Sequence, residues 1–211
     1  MALAPSLSHF VVVGKADAPH TLDIFLDYVC PFSAKIANGG IESVLRPLLS
    51  KGGKYDGKVK VIARLQVQPW HGSSLYTHEA ALAVARIKPE AYWPYSLALF
   101  KHQEEYYDKP TLDLSPTQVR QKLAALAAES LGNAGWSDAA TTEFINLVTP
   151  QSTNNGGVAV TEDLKYTIKF SRQNSIHVSP TVLWDGIVAN EVSSGWGEKE
   201  WSEFLEKKVT V

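Results

Sequence analysis

Apolar positions along the chain follow two different rhythms. Near the N-terminus they come in short, β-branched runs. "HFVVV" (9–13) stops at Gly14 and reads as a first strand. "TLDIFLDYV" (21–29) alternates Leu22, Ile24 and Leu26 on one face, a second strand. "VKVIARLQV" (59–67) is a third, stopped by Pro69. Between the second and third strands, Pro31 suits the first turn of a helix, where its missing N–H would be unpaired anyway. Ile36, Ile41, Val44, Leu45 and Leu48 carry the apolar pattern on to about Leu49. Gly39, Gly40 and Pro47 all lower helix propensity there, so a kinked or broken helix is expected.

From about Ser73 to Thr149 the rhythm becomes helical and alanine-rich. Tyr76, Ala80, Ala83, Val84 and Ile87 share one helical face. Trp93, Leu97 and Phe100 mark a second helix, followed by "KHQEEYYDKP", which reads as a solvated helix end. A third helix opens on "SPTQ", with Ser115 as N-cap, Pro116 in the first turn and Gln118 completing a capping box. It turns Val119, Leu123, Leu126 and Ala127 inward and closes near Gly132. A fourth covers 138–148, and "TPQSTNNGG" (149–157) is a loop. Thr161 then caps a helix holding Leu164, Ile168 and Phe170. The stretches 181–184 and 187–190 are β-rich and separated by Asp185-Gly186, a pair that suits the positive φ angles of a tight hairpin turn. A last helix spans 198–207, with Trp201, Phe204 and Leu205 on its apolar face. The order implies a right-handed crossover between strands two and three and an antiparallel closing hairpin. The expected class is α/β, a mixed sheet with a helical block inserted after the third strand.

Bulk properties narrow the function. With 211 residues the chain is long enough to bury a full core. Its net charge of −2, with Lys and Arg scattered, argues against a nucleic-acid or anionic-membrane partner. No apolar stretch approaches the ~20 residues of a membrane span, and the N-terminus has no secretory signature. Cys30 is the only cysteine, which excludes an internal disulfide, and there is no Asn-x-Ser/Thr sequon. Both lean toward a soluble protein of a reducing, cytoplasmic compartment.

That single thiol stands at the join between the second strand and the helix that follows. A residue there faces unpaired amide N–H groups and the positive end of the helix dipole, and both favour a thiolate over a thiol. A free cysteine is also among the most buried residue types, so taken alone the residue reads first as a small buried hydrophobe. Its context is "CPFS" (30–33), a C-x-x-S version of the redox motif C-x-x-C, with Ser33 at the second thiol's place. Far downstream, "HVSPTVLW" sets Pro180 directly before a strand. Trp70 and His71 follow the third strand at its C-terminal end, the edge where ligands bind in open α/β sheets. They line the site or form an ordinary loop over the core. Phe32 is either an apolar contact for substrate or a packing residue of the helix start. The six histidines show no metal-ligand spacing, so no metal is expected, and "NNGG" lacks the lysine and setting of a phosphate loop.

With "DYVCPFS" after a strand, a helical insertion after the third strand, and "VSPT" before a terminal hairpin and helix, nearly the whole chain resembles the DsbA-like branch of the thioredoxin-fold proteins. That branch also includes kappa-class glutathione transferases and 2-hydroxychromene-2-carboxylate isomerases. The resemblance implies a thioredoxin-like domain over 1–72 and 155–211 and a helical insertion over 73–154. It implies that Cys30 is the reactive position and Pro180 a cis-proline, with Val178 and Ser179 offering backbone to a peptide or to glutathione. Pro31, Phe32, Trp70 and His71 would complete the binding residues. Ser33 departs from the family's resolving cysteine, so an outside thiol must finish any exchange cycle. Glutathione is the expected co-substrate, alongside thiol or disulfide substrates, and no tightly bound cofactor is expected. The expected function is a monothiol thiol–disulfide oxidoreductase. A kappa-type glutathione-dependent transferase or isomerase, and a binding module without turnover, remain open beside it.

Overall fold

A computed structural model describes residues 3–210. By packing, the chain divides into two compact units, one made of 1–26, 30–64 and 178–211 and the other of 27–29 and 65–177. The second unit holds the helical block. Its last helix, α8 (Thr161–Gln173), packs on its first, α3 (Ser74–Ile87), rather than standing apart from the helical block.

The first unit holds a mixed sheet of β1 (Val11–Val13), β2 (His20–Leu26), β3 (Val59–Leu65), β4 (Thr181–Trp184) and β5 (Ile187–Val188), in the order β1-β3-β2-β4-β5. β1 runs antiparallel to β3, and β4 runs antiparallel to both β2 and β5. Several strands are shorter than their apolar runs suggest. Residues 5–10 form a 3-10 turn opened by Pro5, so the first strand begins at Val11 rather than His9. β2 ends at Leu26 because Asp27 turns the chain, and β3 ends at Leu65 rather than Val67. At the hairpin, Asp185 (φ 48°) and Gly186 (φ 87°) both take the positive angles their sequence pair favours.

Between β2 and β3 the helix does not break. α1 (Pro31–Lys35) runs into a π-helical stretch (Ile36–Leu45) and then α2 (Arg46–Leu49). The wider turn keeps backbone groups paired, as the Arg46 amide donating to the Ile41 carbonyl shows. Pro47 sits in the first turn of the resumed α-helix, where a missing N–H is tolerated. Gly40 sits in a crowded place. A Cβ there would lie 3.1 Å from Nε1 of the buried Trp201 and 3.2 Å from Ile36. Trp201 belongs to α9 (Glu198–Lys208), whose apolar face covers the π-helical stretch.

In the second unit α3, α4 (Tyr92–Lys101), α6 (Pro116–Leu131) and α7 (Asp138–Val148) form one helical core. The Ser115–Gln118 capping box is formed as its sequence suggests. Two details differ. Val160, not Thr161, is the cap of α8, although the Thr161 hydroxyl accepts the Val158 amide at 2.8 Å. "KHQEEYYDKP" is not a solvated helix end. It forms a 3-10 turn and the short α5 (Asp108–Thr111), with Gln103 and Tyr106 buried and the Tyr106 carbonyl accepting the Ser73 hydroxyl.

One charged contact lies deep in the sheet. Arg64 Nε on β3 donates to Asp23 Oδ1 on β2 at 2.7 Å, with the side chains 5% and 0% exposed. Removing one member strands the other without water, which costs about 3–5 kcal/mol. Asp23→Leu and Arg64→Met should each lower the urea midpoint strongly. The double variant should recover part of the loss in a double-mutant cycle.

Candidate active site around Cys30

Cys30 is the N-cap of α1. Its carbonyl accepts the amides of Ser33 (3.0 Å) and Ala34 (3.2 Å), and Pro31 takes the first helical position. The helix therefore starts where the sequence puts it. The Cys30 sulfur lies 3.5 Å from the Ser179 carbonyl oxygen, in hydrogen-bond contact with it. The Ser179–Pro180 peptide bond is cis. Register explains the meeting: Thr181 on β4 pairs with Phe25 near the end of β2, so the residues before Thr181 arrive beside the chain leaving β2. The loop is pinned by the Thr181 hydroxyl, which donates to the Val178 carbonyl at 2.7 Å.

Burial sorts the other predicted residues. Cys30 is 4% exposed and Ser33 is fully buried, whereas Phe32 is 62% exposed and Val178 is 40% exposed. Phe32 is thus no packing residue of the helix start. It and Val178 present apolar surface, while Ser179 is buried. Cys30, Ser179 and Pro180 are brought together within the first unit. Trp70 and His71 belong to the second unit. Trp70 is more than half exposed and stands edge-on to His71, with ring centroids 6.2 Å apart. His71 points Nδ1 at Asp27 Oδ2, 3.3 Å away. Among the described residues, no group of three or more His, Cys, Asp and Glu could hold a metal ion, and no helix is long and apolar enough to cross a membrane.

Sequence reasoning missed the two residues that anchor the turn ahead of Cys30. Asp27 is fully buried and accepts the Val29 amide, the Gln68 amide and the Ser74 hydroxyl, each at 3.0 Å. Tyr28 is buried, hydrogen-bonds Ser96 Oγ at 2.8 Å, and lies against His78 and Phe100. The available signal was an acid closing an apolar run three residues before the only thiol.

Burial pushes the Tyr28 phenol up to about 12, outweighing the Ser96 hydrogen bond, which pulls the other way. Below the ordinary tyrosine value both folded and unfolded chains hold this proton. Between there and about 12 only the folded chain holds it, so stability falls as pH rises through that window. Two pH units of difference are worth about 2–3 kcal/mol. Tyr28→Phe should lose about 1 kcal/mol at pH 8 through the missing hydrogen bond. It should then lose less further stability between pH 9 and pH 11 than the wild type, as measured by urea unfolding.

Comparison with known proteins agrees with this geometry. The family model described as Thioredoxin (Thioredoxin_4) matches residues 8–207. A Pseudomonas syringae protein described as a candidate protein-disulfide isomerase superposes with a TM-score of 0.68 at 28% identity, over 92% of this chain and 96% of that one. BdbD from Bacillus subtilis, in its oxidised form, superposes at 0.65 with 20% identity, over 98% and 96% of the two chains. MdbA, a thiol-disulfide oxidoreductase from Corynebacterium diphtheriae, does so at 0.58 with 24% identity, over 92% and 85%. No curated protein matches the sequence. With the family model spanning nearly its whole length and the helical block in place, the chain belongs to the thioredoxin family and carries the fold of the DsbA-like thiol-disulfide oxidoreductases.

Proposed function

We propose that the protein is a monothiol thiol–disulfide oxidoreductase that works through Cys30 and draws on glutathione. The observation that carries this reading is the placement of the chain's one thiol. It caps a helix and contacts the carbonyl just before a cis proline, while a buried serine occupies the place of a second thiol. In the first step the Cys30 thiolate attacks the glutathione sulfur of a glutathionylated substrate. The old S–S bond breaks, a mixed disulfide with Cys30 forms, and the leaving thiolate takes a proton from water. A second glutathione thiolate then attacks the mixed disulfide. It releases glutathione disulfide and restores Cys30. Ser33 has no sulfur with which to attack, so nothing inside the chain competes with that second step. A cycle closed by a diffusing thiol suits a reducing compartment such as the cytoplasm. Val178 and Phe32, both exposed, supply the apolar rim against which the incoming molecule rests. The burial of Cys30, 4% exposed, favours one second reading, a binding module that keeps the fold without turnover.

Intact mass after treatment with glutathione disulfide separates the two. Wild type should gain one glutathione, and Cys30→Ser none. Ser33→Cys should lose two hydrogens and retain no glutathione, because residues three apart in a helix's first turn lie on the same side. A native wild-type protein that takes up no glutathione, together with a Ser33→Cys variant that closes no disulfide, would sink the exchange reading and leave the binding module.

A further inference from the structure

The loop that carries "NNGG" takes no part in the exchange steps. The chain holds two Asn-Gly pairs, Asn38-Gly39 and Asn155-Gly156, and all four residues are exposed. A glycine has no side chain to screen its own amide nitrogen, so that nitrogen can come close to the side-chain carbonyl of the asparagine before it. What separates the two pairs is the backbone around them. Gly39 lies inside the π-helical stretch, where amides donate along the helix. The Asn38 carbonyl also accepts the Ser43 hydroxyl at 2.8 Å, and Gly40 lies against Trp201. Turning the Gly39 nitrogen toward the Asn38 side chain requires that stretch to unwind. Asn155-Gly156 instead lies in the loop between α7 and α8, where every residue of 150–157 is exposed. The Gly156 amide donates to the Thr153 carbonyl at 3.3 Å, long for such a bond. Among the described residues nothing hydrogen-bonds the side-chain amide of Asn155. A Cβ at Gly156 would run into the Thr153 side chain, so the shape of the turn itself calls for the glycine.

We infer that Asn155-Gly156 is a site of self-modification, at which the folded chain converts asparagine to aspartate and isoaspartate with water as the only co-reactant. The Gly156 nitrogen gives its proton to water and attacks Cγ of Asn155. A new C–N bond forms, the bond from Cγ to the side-chain nitrogen breaks, and that nitrogen leaves as ammonia after taking up a proton. The product is a cyclic succinimide. Water then adds at one of its two carbonyls and opens the ring. One opening gives aspartate. The other gives isoaspartate, whose main chain runs through the former side chain and is longer by one methylene. Nothing is oxidised or reduced. Either product adds one negative charge to a chain whose formal net charge is −2. The longer main chain falls inside the loop that the Gln151 amide closes on the Gly157 carbonyl at 2.8 Å. No thiol takes part, so the inference stands apart from the reading of Cys30.

The test incubates the purified protein at pH 8, once folded and once unfolded in urea, and follows both pairs by peptide mapping. The succinimide is lighter than its parent by one ammonia, and the aspartate and isoaspartate peptides share one mass and separate by chromatography. In the folded protein, conversion at Asn155 should be at least about tenfold faster than at Asn38, because only the second must wait for a helix to open. Isoelectric focusing should show a more acidic band growing at the same rate, and Asn155→Gln, whose side chain would have to close a larger ring, should lack that band. In urea the two pairs should convert at similar rates. Three results overturn the inference. The folded protein converts Asn38 as fast as Asn155 or faster. The loop converts in urea but not in the folded protein, so that the Thr153 bond protects it. The tenfold gap persists in urea, so that neighbouring residues rather than the fold set the rates. Uptake of glutathione at Cys30 has no bearing on any of these results.

Discussion

Two aspartates four residues apart, Asp23 and Asp27, are completely shut away from water. An ion in that position is costly unless donors reach it, and so each carboxylate dictates what must lie around it. Asp23 takes the Arg64 guanidinium and thereby joins β2 to β3. Asp27 accepts two amides and a hydroxyl, with His71 Nδ1 beside it, joining the 27–29 turn to the stretch from Gln68 to Ser74. Apolar burial supplies the bulk of the stabilisation of such a core, but it is non-directional. The two carboxylates add direction, because their partners are few and must arrive with the right atoms forward.

Much of this was legible in the sequence, and for identifiable reasons. Ser115, Pro116 and Gln118 predict a helix start because the capping box is a local exchange of hydrogen bonds, complete within four residues. Asp185-Gly186 predicts its turn for a similar reason, since the backbone angles belong to the pair itself. Helix α7 covers the 138–148 expected of it. What failed depends on distant partners. The crowding at Gly40 comes from Trp201, more than 150 positions further along, whose indole leaves little room for a side chain there. Tyr106 appears solvated in a stretch rich in charge, and is buried because α6 covers it. The burial of Asp27 depends on Gln68 and Ser74, partners 41 and 47 positions away.

The site divides in the same manner. Cys30, Pro31 and Ser33 were identifiable because a strand followed by a proline-initiated helix is a local pattern. Pro180 was identifiable only through its setting before the hairpin. The chain meets it with Cys30 through the β2–β4 register, which no local pattern encodes. Asp27 lay in plain view inside "LDYVC", but in a strand pattern an acid reads as a solvent-facing residue. Nothing short of the three-dimensional fold reveals that its oxygens point inward.

The contrast between the four motif residues bears on how a single-thiol site would run. Ser33 is fully buried while Phe32 is open to solvent, so the place of a second thiol lies on the inner side of the motif. A cysteine there would be out of reach of substrates and able to react chiefly with Cys30. A serine there removes that internal exit and leaves the approach from solvent unchanged. Release then depends on whatever thiol can reach the Cys30 sulfur from outside, past Phe32 and Val178. The lifetime of a mixed disulfide becomes a matter of how well that outside thiol fits the exposed rim, rather than of the geometry of an internal pair. Under this proposal the substitution does not disable the site. It transfers control of the second step from the protein to its surroundings, and makes the composition of the thiol pool part of the mechanism.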